Sequence, residues 1–250
     1  MHLGAAPIIN KYEYPVIMTT ATTTKTYTLG PKWPYAFWNI SQPKESTEPM
    51  SQALAQLKKE GKVSGRVAVI HVAVEFGVEM NAAFLEAAKK DGLEVVYNKS
   101  YPLGTSDLQP VIREAMATNA DAFLAMSYPP DTFMVIEQAK IVGYNPKFMY
   151  VAIGGVFPGL KGKFGNNVNG ILVYGGVNPG ETGMAEYNKA HQAMFNRASE
   201  AGALKVYGAL QVTQQAIEQV GEIDRKKIRD AIATGRFQTL WGELRYVNQV

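Results

Sequence analysis

The run RVAVIHVAVEFGVEMNAAFLEAAKKDGLEVVY, residues 66–97, decides the fold class. Its first eight residues are mostly apolar and rich in β-branched side chains, the pattern of a strand buried on both faces. After Gly77 the period changes. Met80, Ala83, Phe84, Ala87 and Ala88 recur at i, i+3, i+4, i+7 and i+8, which is one face of a helix. Gly92 ends that helix, and LEVVY resumes as a strand. The alternation continues through DAFLAMS (121–127) and KFMYVAIG (147–154), so three strand–helix units follow one another between Arg66 and Val151. Strands alternating with helices of this length form a parallel sheet of βαβ units. Such sheets bind ligands beyond the carboxyl ends of their strands.

Upstream, residues 4–12 read as a short amphipathic helix with Ala5, Ile8, Ile9 and Tyr12 on one side. PVIM (15–18) is a strand. TTATTTKT follows, with six threonines in eight residues, and reads as a polar loop because the hydroxyls compete for backbone partners. PYAFWNI reads as the next strand, and a helix is expected over about Pro49 to Lys59, closed by Gly61 and Gly65. Downstream of the central run, Asp107 is placed to cap one helix, Pro129 and Pro130 to open another, and Gly143 to end it. VFPGLKGKFGNNVNG (156–170) reads as a glycine-rich loop before the strand ILVYGGV. Helices are expected over 184–201, 206–220 and 224–234, the first carrying the stripe Met184, Tyr187, His191, Met194, Phe195 and Ala198. Gly242 breaks a strand-like tail. Possible junctions between two lobes lie at Asn39–Pro43, Val177–Gly180 and Gln238–Gly242. They divide the chain into a partial first lobe, 1–41 with 180–238, and a second lobe, 42–179 with 239–250.

Composition narrows the function classes. A net charge of +3, with basic residues spread along the chain, argues against a nucleic-acid partner. The absence of cysteine excludes disulfides, thiolate metal sites and cysteine nucleophiles. No apolar run approaches membrane-spanning length, and the first residues lack the features of a signal peptide. His2, His71 and His191 are far apart, with no metal-ligand partner at helical spacing, and His71 reads as a core histidine. GxSxG, GxGxxG, HExxH and GxxxxGK[ST] are all missing. The chain is therefore expected to be no enzyme and to carry no metal or cofactor.

Four strand ends share one kind of chemistry. PVIM delivers Thr19, Thr20, Ala21 and Thr22; RVAVIHVA delivers Glu75 and Phe76; DAFLAMS delivers Ser127 and Tyr128; KFMYVAIG delivers Ile153, Gly154 and Gly155. Threonine hydroxyls and backbone N–H groups suit a carboxylate, and the two aromatic side chains supply flat walls. This inventory describes a small-molecule site.

The order PVIM–TTATTT, PYAFWNISQP, RVAVIHVAVEFG, YPLGTSDLQPVI and DAFLAMSYPPD resembles the type I periplasmic binding proteins. It resembles in particular the branched-chain amino-acid-binding (leucine/isoleucine/valine) proteins of ABC transporters. The segments YGALQVTQQAIEQVG, DRKKIRDAIATGRF and TLWGELRY are similar to that family's later part. The resemblance covers nearly the whole chain. It implies two αβα lobes with parallel sheets, three crossovers, and a first lobe that is incomplete here, since family members carry further strand–helix units before residue 4 and more chain after residue 250. It also implies a periplasmic or extracellular protein that hands a solute to a membrane permease. Carried onto this sequence, Thr20, Ala21 and Thr22 match the loop that holds the ligand's carboxylate and amino group. Phe76 and Tyr128 match aromatic wall positions. At Ile153–Gly155 the family's acidic partner for an ammonium is missing. Burying an ammonium without a partner costs several kcal/mol. A carboxylate without an amine, with aromatic walls to suit an aromatic acid, fits that stretch, and Glu75 keeps an amino acid open. Two other readings share the fold: a cytoplasmic doubly wound enzyme and the ligand-sensing domain of a receptor.

Overall fold

The computed structural model describes residues 2–173 and 180–250. By internal contacts the chain forms two units, Met1–Ser41 with Gly176–Val250 (unit 1) and Gln42–Gly175 (unit 2).

Unit 1 begins with α1 (His2–Lys11), β1 (Val16–Met18), α2 (Lys25–Leu29) and β2 (Ala36–Trp38). β1 and β2 pair in parallel, Ile17 opposite Phe37. Strand side chains alternate between faces. Met18, Ala36 and Trp38 pack on Ala6 of α1, whereas Phe37 joins a separate cluster on the opposite alternation. The buried side of α1 is Leu3, Ala6 and Ile9, not the expected stripe; Ile8 and Tyr12 are exposed. The threonine run is also shorter as a loop than its composition suggests, because Lys25–Leu29 closes into a helical turn.

Unit 2 runs α3 (Pro43–Lys59), β3 (Arg66–Val72), α4 (Glu75–Lys90), β4 (Glu94–Tyr101), α5 (Gln109–Ala117), β5 (Ala122–Met126), α6 (Pro129–Val142), β6 (Phe148–Val151), α7 (Pro158–Phe164) and β7 (Leu172–Val173). The strands form one parallel sheet in the order β4-β3-β5-β6-β7. Val67, Val69, Leu124 and Met126 meet Leu54, Met80 and Phe84 on one face. Ala68, Ile70, Val72, Phe123 and Val151 meet Ile112, Val135 and Ala139 on the other. The result is the αβα sandwich expected of strands buried on both faces. Two segments read as loops are helical. α3 starts at Pro43, and the glycine-rich segment contains α7. Of the expected strand ILVYGGV, Leu172–Val173 is observed, and residues 174–177 lie outside the described residues.

The chain returns to unit 1 for α8 (Thr182–Phe195), α9 (Ala201–Val220), α10 (Arg225–Thr234), β8 (Phe237–Thr239) and β9 (Gly242–Leu244). α9 and α10 supply Val212, Ala216, Ile228 and Ile232 to the Phe37 cluster. Apart from Gly180, the junction expected at Val177–Gly180 lies outside the described residues. The one expected at Gln238–Gly242 is a β-hairpin turn, in which Thr239 Oγ1 donates to Gly242 O (3.0 Å) and Gly242 adopts φ +94°. The tail 239–250 accordingly belongs to unit 1 rather than to the second lobe. Leu240 is buried with Met184 and Leu204, and Tyr246 packs on Phe37 with ring centroids 5.2 Å apart. The Trp38 backbone N–H donates to Gln249 O (2.7 Å).

Candidate functional site

The strand order of unit 2 marks a candidate site. In a sheet of order 2-1-3-4-5 the connections leave in opposite directions from the first and third strands, which here are β3 and β5. Sheets of this order hold ligands beyond the carboxyl ends of those two strands. β3 continues through Ala73 and Val74 into α4, whose first residues are Glu75 and Phe76. β5 continues through Ser127 into Tyr128, which caps α6. Phe76 and Tyr128 therefore come from the two ends that flank the switch point. Their rings stack with centroids 5.0 Å apart and planes inclined by 21°. Both side chains are half-buried, and the pair packs on the core below it.

Close packing beneath the pair sets its position. At Gly77 an added Cβ would lie 2.1 Å from Val72 O, so only glycine lets α4 start this near the end of β3. At Gly154 an added Cβ would lie 2.0 Å from Thr132 Oγ1 and 2.9 Å from Pro129 Cα. Gly154 is buried, and it lets the β6 end approach the first turn of α6. Ser127 Oγ and Thr132 Oγ1, 2.6 Å apart, close the same turn.

Two carboxylates stand near Tyr128. Glu75 is exposed, in the first turn of α4. Asp131, on which sequence reasoning placed no role, is 5% exposed. Burial raises its pKa above the usual 3.8, against hydrogen bonds from the Tyr128 backbone N–H and the Tyr101 hydroxyl. Tyr101 Oη donates to Asp131 Oδ2 at 3.4 Å. Burial is also the main cause of a raised Tyr128 pKa, with Asp131 and then Glu75 adding to it. The tyrosine is thus held as a neutral phenol, a hydrogen-bond donor with an apolar ring. One sequence signal did exist for Asp131: it stands three residues after Tyr128, where an acidic side chain reaches back to the N-cap N–H.

In unit 1 the Thr20–Thr22 segment follows β1. Thr20 is exposed and Thr22 half-buried, and Ala21 between them adopts φ +73°. A left-handed alanine is uncommon and costs backbone energy, so the turn is held by its surroundings. Thr23 and Thr26 face inward: Thr26 Oγ1 donates to Thr23 O (2.9 Å), and Thr23 Oγ1 accepts from the Lys25 N–H (3.3 Å). The threonine run thus divides into turn-forming and outward-facing members. Neither of two cavities in unit 1 is lined by any of the predicted residues. The wider, about 910 Å³, lies between α8 and α9. The stripe read along that helix ends on its wall, with Met194 and Phe195 exposed.

Histidine chemistry is sparse. His71 is buried in β3, bonded to Asn98, with Nδ1 lacking a partner among the described residues and its pKa lowered by burial. His191 Nδ1 lies 3.1 Å from Arg197 O. Among the described residues no group of three His, Cys, Asp or Glu side chains could hold a metal ion, and no helix is long and apolar enough to cross a membrane.

The sequence matches the periplasmic binding protein family over residues 2–249. The chain belongs to that family. A curated relative, Leu/Ile/Val-binding protein homolog 7 of Brucella abortus (strain 2308), is 24% identical over 176 residues, covering 67% of this chain and 44% of the relative. The chain therefore spans less than half the length of that protein. Among solved structures, a leucine-binding protein from Thermotoga maritima MSB8 is 20% identical with a TM-score of 0.79, covering 99% of this chain and 69% of that one. The solute-binding protein of an ABC transporter from R. palustris, solved with benzoate, is 16% identical with a TM-score of 0.85, covering 99% and 68%. At these identities the structural likeness shows the fold, a type I periplasmic binding protein with α/β architecture and parallel sheet.

Proposed function

We propose that the chain is the solute-binding component of an ABC uptake transporter. It would act in the periplasm or outside the cell, bind a small carboxylic acid or amino-acid-like solute, and deliver it unchanged to a membrane permease. Family membership and relatives named for leucine, isoleucine, valine or benzoate support this reading. The observation that carries it is the stacked Phe76–Tyr128 pair at the switch point of the unit 2 sheet. A flat apolar wall with a neutral phenol at its edge suits a planar or branched apolar body bearing one polar group. Thr20, Ala21 and Thr22 are proposed to hold the carboxylate, their hydroxyls and backbone N–H groups being donors.

The choice of solute rests on the acids. Ile153–Gly155 carries none, and Asp131 accepts hydrogen bonds from Tyr101 and Tyr128. A solute ammonium would be left to Glu75, which is exposed. An aromatic acid without an amine therefore fits better than an α-amino acid. A thermal-shift screen with benzoate, leucine and butyrate tests this. Benzoate should raise the melting temperature most, the shift growing with the logarithm of its concentration over Kd. If leucine wins and Glu75→Gln abolishes its effect, the solute is an amino acid instead. If none of the three acts, or if any is consumed on incubation, the solute-binding reading fails.

A further inference from the structure

Unit 1 contains a second cavity, of about 250 Å³, between the end of β2, α9 and the β8–β9 hairpin. Trp38, Asn39, Lys205, Trp241, Arg245 and Tyr246 line it. Four of them carry a hydrogen-bonding group that is shut off from solvent and has no partner among the described residues: Trp38 Nε1, Asn39 Nδ2, Trp241 Nε1 and Tyr246 Oη. Trp38 is 1% exposed and Tyr246 6%. Folded proteins leave few buried polar groups unpaired, so four around one cavity call for an explanation. Their chemistry is one-sided. An indole N–H and an amide nitrogen only donate, and a phenol donates readily.

The charged side chains on the walls have the same sense. Lys205 is 7% exposed, and burial lowers its pKa. Arg245 is exposed and forms no ion pair among the described residues. Among the described residues no aspartate or glutamate side chain lines the cavity. The arrangement is built by tertiary packing. Gly208 of α9 lies under the Trp241 ring, where a Cβ would come within 3.0 Å of it, and the Phe37–Tyr246 contact anchors the tail.

We propose that this cavity is a binding site for a small oxyanion, a carboxylate or a phosphate, held by the Trp38 and Trp241 indoles, the Asn39 amide, the Tyr246 hydroxyl and the Lys205 ammonium. The proposal is independent of the function assigned to Phe76 and Tyr128, which lie in unit 2. An oxyanion is the ligand that satisfies several donors at once, and charge-assisted bonds of this kind are the strong ones.

The three tryptophans, Trp33, Trp38 and Trp241, all belong to unit 1, so selectively excited tryptophan emission reports on this unit alone. The chain is titrated with inorganic phosphate and with acetate at constant ionic strength, chloride serving as the control. A saturable change with phosphate or acetate but not with chloride is expected, and the responding anion identifies the class. Tyr246→Phe keeps the ring and removes only the hydroxyl, so it should fold and bind about tenfold more weakly. Lys205→Met should weaken binding at least as much. The Phe76→Ala/Tyr128→Ala variant should respond as the unaltered chain does. The proposal is overturned by no saturable response to either anion, by an equal response to chloride, or by unchanged affinity in both Tyr246→Phe and Lys205→Met. Loss of the response in the unit 2 variant also overturns it, by moving the site elsewhere.

Discussion

Replacing Phe76 and Tyr128 by alanine, singly and together, tests whether the aromatic wall exists as a coupled unit. Truncating a fully buried phenylalanine costs about 3–5 kcal/mol. Both rings are half-buried, so each single variant should lose about half of that, roughly 1.5–2.5 kcal/mol. Independent losses would sum to about 3–5 kcal/mol in the double variant. The rings are stacked with 5.0 Å between centroids and 21° between planes. Such pairs contribute about 0.5–1.5 kcal/mol beyond burial, and each single variant already forfeits it. The double variant should therefore cost about 2–4 kcal/mol, less than the sum by the coupling. Urea unfolding followed by far-UV circular dichroism measures the cycle, since tryptophan emission would miss unit 2. Additivity within about 0.3 kcal/mol would refute the stacked geometry. The same variants connect stability to binding. At a hundred times Kd a ligand adds about 2.7 kcal/mol to the unaltered chain. That increment should vanish in the double variant, and its survival would remove Phe76 and Tyr128 from the site.

Two further changes probe the support beneath the pair. Gly154→Ala forces a Cβ to within 2.0 Å of Thr132 Oγ1 and 2.9 Å of Pro129 Cα, and overpacking of this kind costs about 1–3 kcal/mol. An unchanged urea midpoint would show that the β6 end does not press on α6. For Asp131 the native state holds its proton more tightly than the unfolded chain, because burial raises the pKa above 3.8. Stability from this group is therefore present below pH 3.8 and is lost as pH rises through the native value. Asp131→Asn removes that dependence while keeping an oxygen for the Tyr128 N–H, so its stability relative to the unaltered chain should increase from pH 4 to pH 7. A constant difference across that range would contradict the assignment.

The order in which elements became legible follows from how local their causes are. The α4 stripe and the strands β3, β5 and β6 were readable because burial on one or two faces imposes a period on consecutive residues. α3 was read six residues short. Ser46, Thr47 and two prolines look like loop residues, yet Ser46 Oγ and Thr47 Oγ1 donate to the carbonyls of Gln42 and Pro43, and Glu45 accepts from the Gln42 N–H. Those bonds are short-range, and S-Q-P-K-E could have been read as a helix start. α7 was missed because its glycines lower helix propensity, a preference overridden here.

By itself the sequence determined that the chain is α/β with a parallel sheet and where its strands end, since hydrophobic periodicity records which faces are buried. It also placed Phe76 and Tyr128 at strand ends, because those residues directly follow readable strands. That the two rings meet was decided by tertiary structure. The contact depends on β3 and β5 lying side by side, which follows from strand order and not from any local pattern. The tail's place in unit 1, the burial of Asp131 and the donor-lined cavity around Tyr246 have the same origin. Each needs residues far apart in the chain to be packed together, and a contact of that kind leaves no period in the sequence.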